Sequence, residues 1–502
     1  MKKNIYILLA AAASLFFAGS CNERIEEHPK AVATSTFYNT PSEADAAINA
    51  VIAQFRGLRD MNFGGLMETF SDYNFGRASW APNSTYQTLD AKNVTRTDDQ
   101  WNRSYSTIRD ANICIAQLPQ ATGLTQQQID QYVGEAKFFR AFAYFDLVRF
   151  WDHAPWRDET NMSDVDVACT NRDGLYTKIK EDLTDAIAKC PDTPAMLGRP
   201  GKNAARMLMA DVLMTLNDFS GAETYVDAII SSGKHQLESI STMRDYDKIF
   251  GFHSGSSELI FSRVSCKSPA IGWTMLGMYA HPNMFVNGHA MENGKGWYAI
   301  DSGTDLKWYK EWDANDFRRD LNVIVTPKDF NPNAADKPDK FDTDPALNIP
   351  MNTITAKFYD HTATGEDGFV DYGVYRYAET LIMKAEILAR NNKFADAIEY
   401  INKLHRRAYG KPIDTPAPGI DYAAPASLDE FMKILHKEHV YEFYGEHKRW
   451  PFLLRLGKDV AKQFIKEYKN HDITDSFWLW RIPESELMTN KALTPADQNP
   501  GY

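Results

Sequence analysis

Candidate ligand-binding side chains are concentrated in residues 62–100, a stretch rich in Gly, Asn, Ser and Thr that lacks helical spacing. A sugar ring has an apolar C–H face and hydroxyls around its edge, so flat aromatic surfaces and carboxylate, amide or guanidinium groups can hold it. The stretch is predicted to be a loop, and loops on a rigid scaffold often carry ligand-binding groups. The candidates within it are Asp72, Tyr73, Arg77, Trp80 and Asn83.

A second group of aromatic residues lies in residues 235–370, which contain Gly, Pro, Asn and short β-like runs such as 258–264. Pro, Asp and Asn crowd residues 327–350, which are therefore predicted to form a surface loop. The density of rings in this non-periodic sequence predicts further ligand contacts. The candidates here are Trp273, Tyr279, Trp297 and Tyr298.

Packing is the alternative role for each of these rings, because a tryptophan buries a large apolar area wherever it lies. Trp308 and Trp312 stand four residues apart, which favours packing on one face of a short helix. Asp72 and Arg77 could pair with each other rather than with a ligand. Ligand contact and packing both stay open for three candidates: Trp80, Trp273 and Trp297.

The chain shows no recognisable catalytic centre. Glycoside hydrolysis needs two carboxylates about 5–10 Å apart, and among 67 acidic residues such pairs discriminate nothing. No nucleophile elbow, His-Glu-x-x-His motif or phosphate-binding loop occurs. His436, His439 and Glu442 could share one helix face, but zinc chemistry needs more ligands than this spacing supplies. We therefore expect no catalytic residue, metal or cofactor. The alternative is that the protein is an enzyme, a glycoside hydrolase.

The N-terminus has the pattern of an export signal. Two lysines precede an apolar run over residues 5–18, which is shorter than the roughly 20 residues of a membrane-spanning helix. Ala18-Gly-Ser-Cys21 resembles a bacterial lipobox, although Leu is commoner at its first position. The resemblance implies a signal peptide over residues 1–20, lipidation of Cys21 and stable anchoring by several acyl chains. The alternative is an ordinary signal peptide in which Cys21 is incidental.

The mature chain is acidic. The whole chain has a net charge of −12, and removal of residues 1–20, which hold two lysines and no acids, makes it −14. Because no basic stripe offsets this charge, nucleic acid is not an expected partner.

No later stretch is long and apolar enough to span a bilayer. The later cysteines match no zinc or haem spacing, and both a Cys169–Cys190 disulfide and free thiols are compatible with them.

Helices are the elements predicted to position the candidate side chains. After a polar tether over residues 21–40, apolar residues keep helical spacing over 41–61, about 101–118 and about 125–151. A capping box, Ser427-Leu-Asp-Glu430, begins another helix. Tryptophans on helical patterns are predicted to lie in the core: Trp101, Trp151 and Trp450.

Two segments repeat each other at equal offsets. Residues 210–225 and 385–400 place Ala, Leu, Asn, Phe, Ala and Tyr at matching positions. The spacing predicts a helix, a short turn and a second helix, with alanine where the helices approach closely. This pattern is typical of tetratricopeptide hairpins, which bury their apolar faces by stacking. Two unrelated helical hairpins are the alternative.

Three groups of motifs follow one another along the chain. They are Glu135-Ala-Lys-Phe-Phe-Arg-Ala-Phe-Ala-Tyr-Phe-Asp-Leu-Val-Arg-Phe-Trp151 with Pro155; Tyr375–Glu386 with Ile401–Ala408; and Glu442-Phe443, Arg449-Trp450, Arg481–Glu484 and Gln498–Tyr502. Together with the lipobox, this combination resembles the SusD/RagB family of outer-membrane nutrient-binding lipoproteins from one end of the chain to the other. The chain departs from the family pattern at Asp152 and His447, where Gly is usual.

The resemblance implies a mainly helical fold, in which about four tetratricopeptide-like helix pairs support a loop-rich ligand-binding half with short strands. It implies a body over residues 41–502, divided into a helical scaffold mainly in 41–61, 101–232 and 375–455 and a variable half mainly in 62–100 and 235–370. It also implies outer-membrane localisation facing outward, and a SusC-like TonB-dependent barrel as the partner. Family ligands are mostly oligosaccharides and sometimes peptides. A protein–protein scaffold, in which the tetratricopeptide helices bind a partner chain, is a third alternative.

Overall fold

The structure of the protein is a computed structural model that is mainly helical, as the sequence predicts. It describes residues 37–76, 78–87, 89–251, 255–267, 270–273, 285–286, 289–290, 298–299, 307–322, 324–325, 353–354, 356–358, 360 and 367–502. The predicted signal peptide, tether, Cys21 and 327–350 loop lie outside these residues, apart from the last four residues of the tether.

The described helices extend through both halves of the chain. They are α1 (Pro41–Leu58), α2 (Met61–Thr69), α3 (Ala91–Gln117), α4 (Gln126–Trp151), α5 (Arg172–Lys189), α6 (Lys202–Thr215), α7 (Phe219–Ser231), α8 (Asp247–Phe250), α9 (Lys307–Glu311), α10 (Phe317–Asn322), α11 (Tyr377–Arg390), α12 (Phe394–Ala408), α13 (Leu428–Phe443), α14 (Arg449–Leu456), α15 (Lys458–Lys469) and α16 (Glu484–Thr489).

The described strands are short and form antiparallel pairs. The pairs are β1 (Phe75–Gly76) with β9 (Tyr298–Ala299), β2 (Ala154–Pro155) with β3 (Cys169–Thr170), β4 (Leu259–Arg263) with β12 (Tyr372–Arg376), β5 (Cys266–Lys267) with β6 (Ala270–Ile271), β7 (Phe285–Val286) with β8 (His289–Ala290), and β10 (Ile324–Val325) with β11 (Thr353–Ile354). The β-like run predicted at 258–264 is confirmed as β4.

Local signals determine where several helices begin. The Thr40 hydroxyl accepts a hydrogen bond from the Glu43 amide at 3.3 Å, and the Glu43 carboxylate accepts one from the Thr40 amide at 2.9 Å. This capping box begins α1 at the predicted position. At the start of α13, the Ser427 hydroxyl accepts a hydrogen bond from the Glu430 amide at 3.2 Å. The Glu430 carboxylate accepts from the Ala426 amide at 2.8 Å, so the predicted capping box forms only in part.

The two repeated segments form matching helical hairpins, α6–α7 and α11–α12. Asn217 and Asn392 occupy equivalent turn positions and both have a φ of 59°, a left-handed conformation in which Asn is enriched. The next amide in each turn donates to the carbonyl five residues back, at 2.8 and 2.9 Å respectively. The tetratricopeptide-like hairpins are therefore confirmed, and equivalent residues close their turns.

Residues 62–100 are not a continuous loop, so that prediction is wrong. α2 covers Met61–Thr69, and α3 begins at Ala91, well before the predicted start near residue 101. Phe63 to Thr69 are all buried, so α2 lacks the polar face that would produce a helical period. The first turns of α3 lack an apolar helical period for a different reason, because polar residues such as Asn93 and Thr97 are buried there.

A buried ion network joins the irregular half to the helices. Arg376, at the end of β12, is fully buried and binds the carboxylates of Glu258 at 2.5 Å, Glu446 at 2.8 Å and Glu442 at 3.1 Å. Arg407 of α12 binds Glu442 and, at 2.7 Å, Glu258. Residues of the second and third motif groups thus meet in one network.

The C-terminal motif packs against the end of α4. The Asn499 side-chain amide donates to the backbone carbonyls of Trp151 at 2.9 Å and Trp480 at 2.7 Å. The Trp151 indole N–H donates to the Arg481 carbonyl at 2.7 Å.

Burial of the predicted core tryptophans is confirmed for Trp101, Trp151 and Trp450. Four cysteines are free thiols: Cys114, Cys169, Cys190 and Cys266.

Candidate functional site

The segment after α2 is fixed to the scaffold by a buried ion pair. Arg449 donates from Nε to Asp72 Oδ1 at 2.9 Å and from Nη2 to Asp72 Oδ2 at 2.6 Å. Both side chains are at most 1% exposed. Asp72 therefore pairs with Arg449, and Arg77 lies outside the described residues. The two-point geometry makes Asp72 a structural anchor with no free face for a ligand.

Glu68 is a second buried link between this segment and the scaffold. Its carboxylate accepts hydrogen bonds from the Tyr73 hydroxyl at 2.8 Å, the Asn74 amide group at 3.1 Å and the His447 backbone N–H at 2.9 Å. Burial raises the pKa of Glu68 to about 7, although these three hydrogen bonds lower it. The Tyr73 ring stacks on Tyr444 with 4.4 Å between centroids, so this candidate is also internal.

Trp80 and Asn83 are internal for a different reason. The Arg96 guanidinium lies 3.4 Å from the centre of a Trp80 ring, and only 1% of Trp80 is exposed. Arg96 is held in place by the carbonyl and hydroxyl of Ser79, at 2.9 and 2.8 Å. The Asn83 amide donates to the Thr69 hydroxyl at 3.0 Å, which ties the 3-10 helix over Ala78–Thr85 to the end of α2.

Trp273 belongs to the main hydrophobic core. Its ring packs against Phe358 at 5.5 Å and Tyr372 at 5.2 Å, and the Arg263 guanidinium lies 5.0 Å from its centre. Its backbone forms a bridge with Gly368. The structure buries five of the candidates, and for Trp80 and Trp273 it selects packing, one of the two roles that the sequence leaves open. The five are Asp72, Tyr73, Trp80, Asn83 and Trp273.

The structure does bring together the two stretches that contain the candidates. In the β1–β9 pair, Gly76 is the partner of Tyr298, and Phe75 is the partner of Ala299. Arg77 directly follows Gly76 in the chain, and Trp297 directly precedes Tyr298. The structure describes the backbone of Tyr298, whereas Arg77, Tyr279 and Trp297 lie outside the described residues.

The close approach at β1 requires glycine. A Cβ atom on Gly76 would lie 2.2 Å from the carbonyl oxygen of Trp80 and 2.9 Å from its Cβ. The Gly76 N–H also donates to the Ser84 hydroxyl at 2.9 Å. The turn from β1 into the following 3-10 helix is therefore compact, and it positions β1 against β9.

Trp308 and Trp312 pack as their four-residue spacing predicts. Trp308 stacks on Tyr468 with 3.8 Å between centroids, and Trp312 stacks on Tyr441 at 4.0 Å. The rings of each pair are within 9° of parallel. These contacts attach α9 and the residue after it to α13 and α15, so both tryptophans position the irregular half.

The helix face that carries His436, His439 and Glu442 has a structural role. Glu442 is bound by Arg376 and Arg407. His439 stacks on Phe452 with 3.9 Å between centroids, and burial together with nearby arginines lowers its pKa well below the usual value. The neutral ring is one part of a packed aromatic layer.

Three residues that position the candidate segment have no role in the sequence-based prediction of the site. Glu68 stands alone in the apolar run Phe63-Gly-Gly-Leu-Met-Glu-Thr-Phe70, and such an isolated acid is the signal that could have identified it. Arg449 was recognisable only as part of a motif. Arg96 has no sequence signal, because its stacking on Trp80 depends on the tertiary fold.

Family models match most of the chain. The model described as SusD family matches residues 269–502, and the model described as starch-binding associating with outer membrane matches residues 27–214. The chain belongs to the SusD/RagB family. Its relatives include SusD-like protein P2 of Formosa agariphila, which is 27% identical over 95% of this chain and 96% of that protein.

Solved structures of SusD-like proteins share the fold. A SusD homolog from Bacteroides thetaiotaomicron superposes with a TM-score of 0.75 and 19% identity, covering 93% of this chain and 98% of that one. Surface glycan-binding protein A from the same species, solved in complex with laminarihexaose, gives a TM-score of 0.69 and 22% identity, covering 91% and 99%. Within the described part of this SusD-family chain, each helix is too short or too polar to cross a membrane.

Proposed function

We propose that this chain is a cell-surface glycan-binding lipoprotein, anchored in the outer membrane through Cys21, that captures oligosaccharide and delivers it to a TonB-dependent barrel. Membership of the SusD/RagB family supports this role, as does the similarity to a structure that contains a bound glucan. The chain itself performs no chemistry on the glycan in this proposal.

The β1–β9 pair is the observation that carries the proposal. It places the backbone of Tyr298 beside Gly76, so the chain positions of Trp297 and Arg77 adjoin the same strand pair. Aromatic rings and a guanidinium group are the chemistry that a sugar requires. We assign the ligand face to Arg77, Trp297 and Tyr298, with Tyr279 as a further contact.

The buried candidates support this proposal by fixing β1 to the scaffold. The Asp72–Arg449 pair and the stacking of Tyr73 on Tyr444 fix the start of β1 to the scaffold. Trp80 stabilises the turn that follows β1. Changes at these residues should therefore affect folding first and affinity second.

Calorimetry with the mature chain and a panel of glycans tests the face. Trp297→Ala with Tyr298→Ala should weaken binding at least tenfold while the helical circular dichroism stays unchanged. Tyr225→Ala removes a half-buried ring on α7 and should bind as wild type does. A double variant that keeps wild-type affinity would exclude the face, and a chain that binds peptides but no glycan would favour the peptide alternative.

Three assays test the remaining parts of the proposal. Labelled palmitate should attach to the wild type but not to Cys21→Ala. The barrel should co-purify with the wild type from detergent-solubilised membranes. Release of reducing sugar from a bound glycan would contradict the non-enzymatic role and favour a glycoside hydrolase.

A further inference from the structure

A large cleft lies on the scaffold, among helices α7, α11 and α12. Its volume is about 1110 Å³, and segments 235–239 and 412–415 form the rest of its wall. Among the described residues, its lining includes none from β1 or from the 3-10 helix that follows β1. Ligand pockets typically measure about 300–1,000 Å³, so the cleft can hold an extended ligand.

The charged side chains around the cleft are largely neutralised by one another. Lys384 binds Glu223 at 2.8 Å and Asp227 at 2.6 Å. Lys403 binds Asp414 at 2.5 Å. Both lysines therefore already have acidic partners, and an anionic ligand would have to compete with them.

Two other titratable groups of the wall, Glu399 and His235, are similarly satisfied. Glu399 accepts hydrogen bonds from Arg406 at 2.7 Å. His235 shares a hydrogen bond with the Ser257 carbonyl at 3.0 Å, and burial lowers the pKa of this histidine, so its ring is neutral at pH 7. Two acids of the described wall are exposed, Asp396 and Asp414, and Asp414 is the partner of Lys403. This inventory favours an uncharged ligand.

Two tyrosines provide the binding chemistry that remains. Tyr377 and Tyr400 are half-buried, and each packs partly against the main core. Among the described residues, neither hydroxyl has a hydrogen-bonding partner. The exposed amide of Gln236 and the exposed or partly exposed apolar side chains of Pro412 and Ile413 complete the surface. Rings, apolar patches and neutral donors match the alternating faces and hydroxyls of a sugar chain.

We propose that this cleft is a second glycan-binding site, which takes a neutral oligosaccharide. The inference goes beyond the proposed function and rests on it for the ligand class. An extended peptide fits less well, because the three helices that form most of the wall have already satisfied their backbone groups and cannot pair with a peptide backbone. Gln236 is the single carboxamide among the described side chains of the wall.

Two sites on one chain would favour polymers over short oligosaccharides. A polysaccharide long enough to reach both sites binds the second one intramolecularly, at a high effective concentration. A hexasaccharide must bind each site separately. We therefore expect the polysaccharide to bind at least tenfold more tightly than its hexasaccharide.

Calorimetry of the mature chain with laminarihexaose and maltohexaose tests this inference. The wild type should bind two equivalents of one probe. Tyr377→Ala with Tyr400→Ala should remove one equivalent and leave the affinity of the other within twofold. Trp297→Ala with Tyr298→Ala should remove the other equivalent. Tyr377→Phe with Tyr400→Phe, which keeps both rings, should retain two equivalents with weaker binding at the cleft.

Hydrogen exchange gives a readout that does not depend on folding of the variants. Saturating probe should slow exchange of backbone amides in residues 235–239 and 412–415 of the wild type. The second site would be overturned if the wild type bound one equivalent of probe, if only Trp297→Ala with Tyr298→Ala removed it, and if exchange at these segments stayed unchanged. That result would leave the proposed function intact. Absence of glycan binding by the wild type would overturn both, and protection by a peptide alone would assign the cleft to peptides.

Discussion

The Asp72 carboxylate and the Arg449 guanidinium form a two-point ion pair, with N–O distances of 2.6 and 2.9 Å, across 377 residues of the chain. Arg449 also donates to the carbonyl of His436 at 3.2 Å. One guanidinium therefore connects the segment before β1 with both α13 and α14. The proposed ligand face consequently depends on the scaffold for its position.

Replacing Asp72 with Asn should destabilise the fold, because the Arg449 charge would stay buried without its carboxylate. Loss of one partner of a buried pair costs about 3–5 kcal/mol. Denaturant unfolding should show this loss. The matched control is Lys178→Ala, which breaks the exposed 3.3 Å pair with Glu181 and should cost less than about 1 kcal/mol. Equal losses in the two variants would contradict the importance of burial.

Local sequence predicts the elements whose stability signals are local. The α6–α7 and α11–α12 hairpins follow from their apolar spacing and from the turn residues Asn217 and Asn392. The capping box of α1 and the Ser427 cap of α13 also have local signals. The sequence does not predict α2, because this helix is buried on all sides and therefore lacks the alternation of apolar and polar faces on which a helix prediction depends.

The candidate site was harder to predict, because residue type does not determine burial. Asp72 and Trp80 have the chemistry of sugar-binding residues, but Arg449 and Arg96 cover them. These contacts join residues from different elements, and no local spacing encodes them. The pairing of β1 with β9 is also long-range, and it brings together candidates that the sequence could identify only separately.

Glu68 should make stability fall as the pH rises from about 4.5 to about 7. Burial raises its pKa from 4.5 to about 7, so in this window the folded chain holds a proton that the unfolded chain has released. At about 1.4 kcal/mol per pH unit, the contribution is at most about 3.5 kcal/mol. Glu68→Gln should match wild-type stability within about 1 kcal/mol at pH 4.5 and show a shallower decline up to pH 7. Identical pH profiles would exclude this role for Glu68.

Glu442 should have the opposite effect at low pH. Burial opposes its ionisation, but Arg407, Arg376 and Arg318 together lower its pKa to about 2. Its ionised form therefore stabilises the fold above pH 4.5, and this stabilisation is lost as the pH falls through 2. Acid unfolding followed by circular dichroism should show part of this loss between pH 4.5 and 2. Glu442→Gln should be less stable at pH 6 and less sensitive to acid, whereas a wild-type acid profile in this variant would contradict the network.

The Asp152→Gly variant should be more stable than the Asp152→Ala variant. It ends α4 with a φ of 71°, which strains any residue that has a Cβ atom, and the related SusD/RagB pattern has Gly there. Both substitutions remove the 3.1 Å contact with Arg172, so the difference between them isolates the backbone effect. Thermal unfolding should place Asp152→Gly above Asp152→Ala by about 1 kcal/mol. The reverse order would show that the turn relaxes without strain.

Gly76→Ala should separate ligand binding from folding of the helices. The new methyl group would lie 2.2 Å from the Trp80 carbonyl oxygen, which belongs to the backbone and cannot rotate away, so β1 must shift relative to Tyr298. We expect glycan affinity to fall at least tenfold while the helical circular dichroism is retained. Gly457→Ala is the matched control, because its φ of 104° strains alanine but no atom lies within 4 Å of the new methyl group. If Gly76→Ala binds glycan as tightly as Gly457→Ala does, the β1–β9 pair does not position the ligand face.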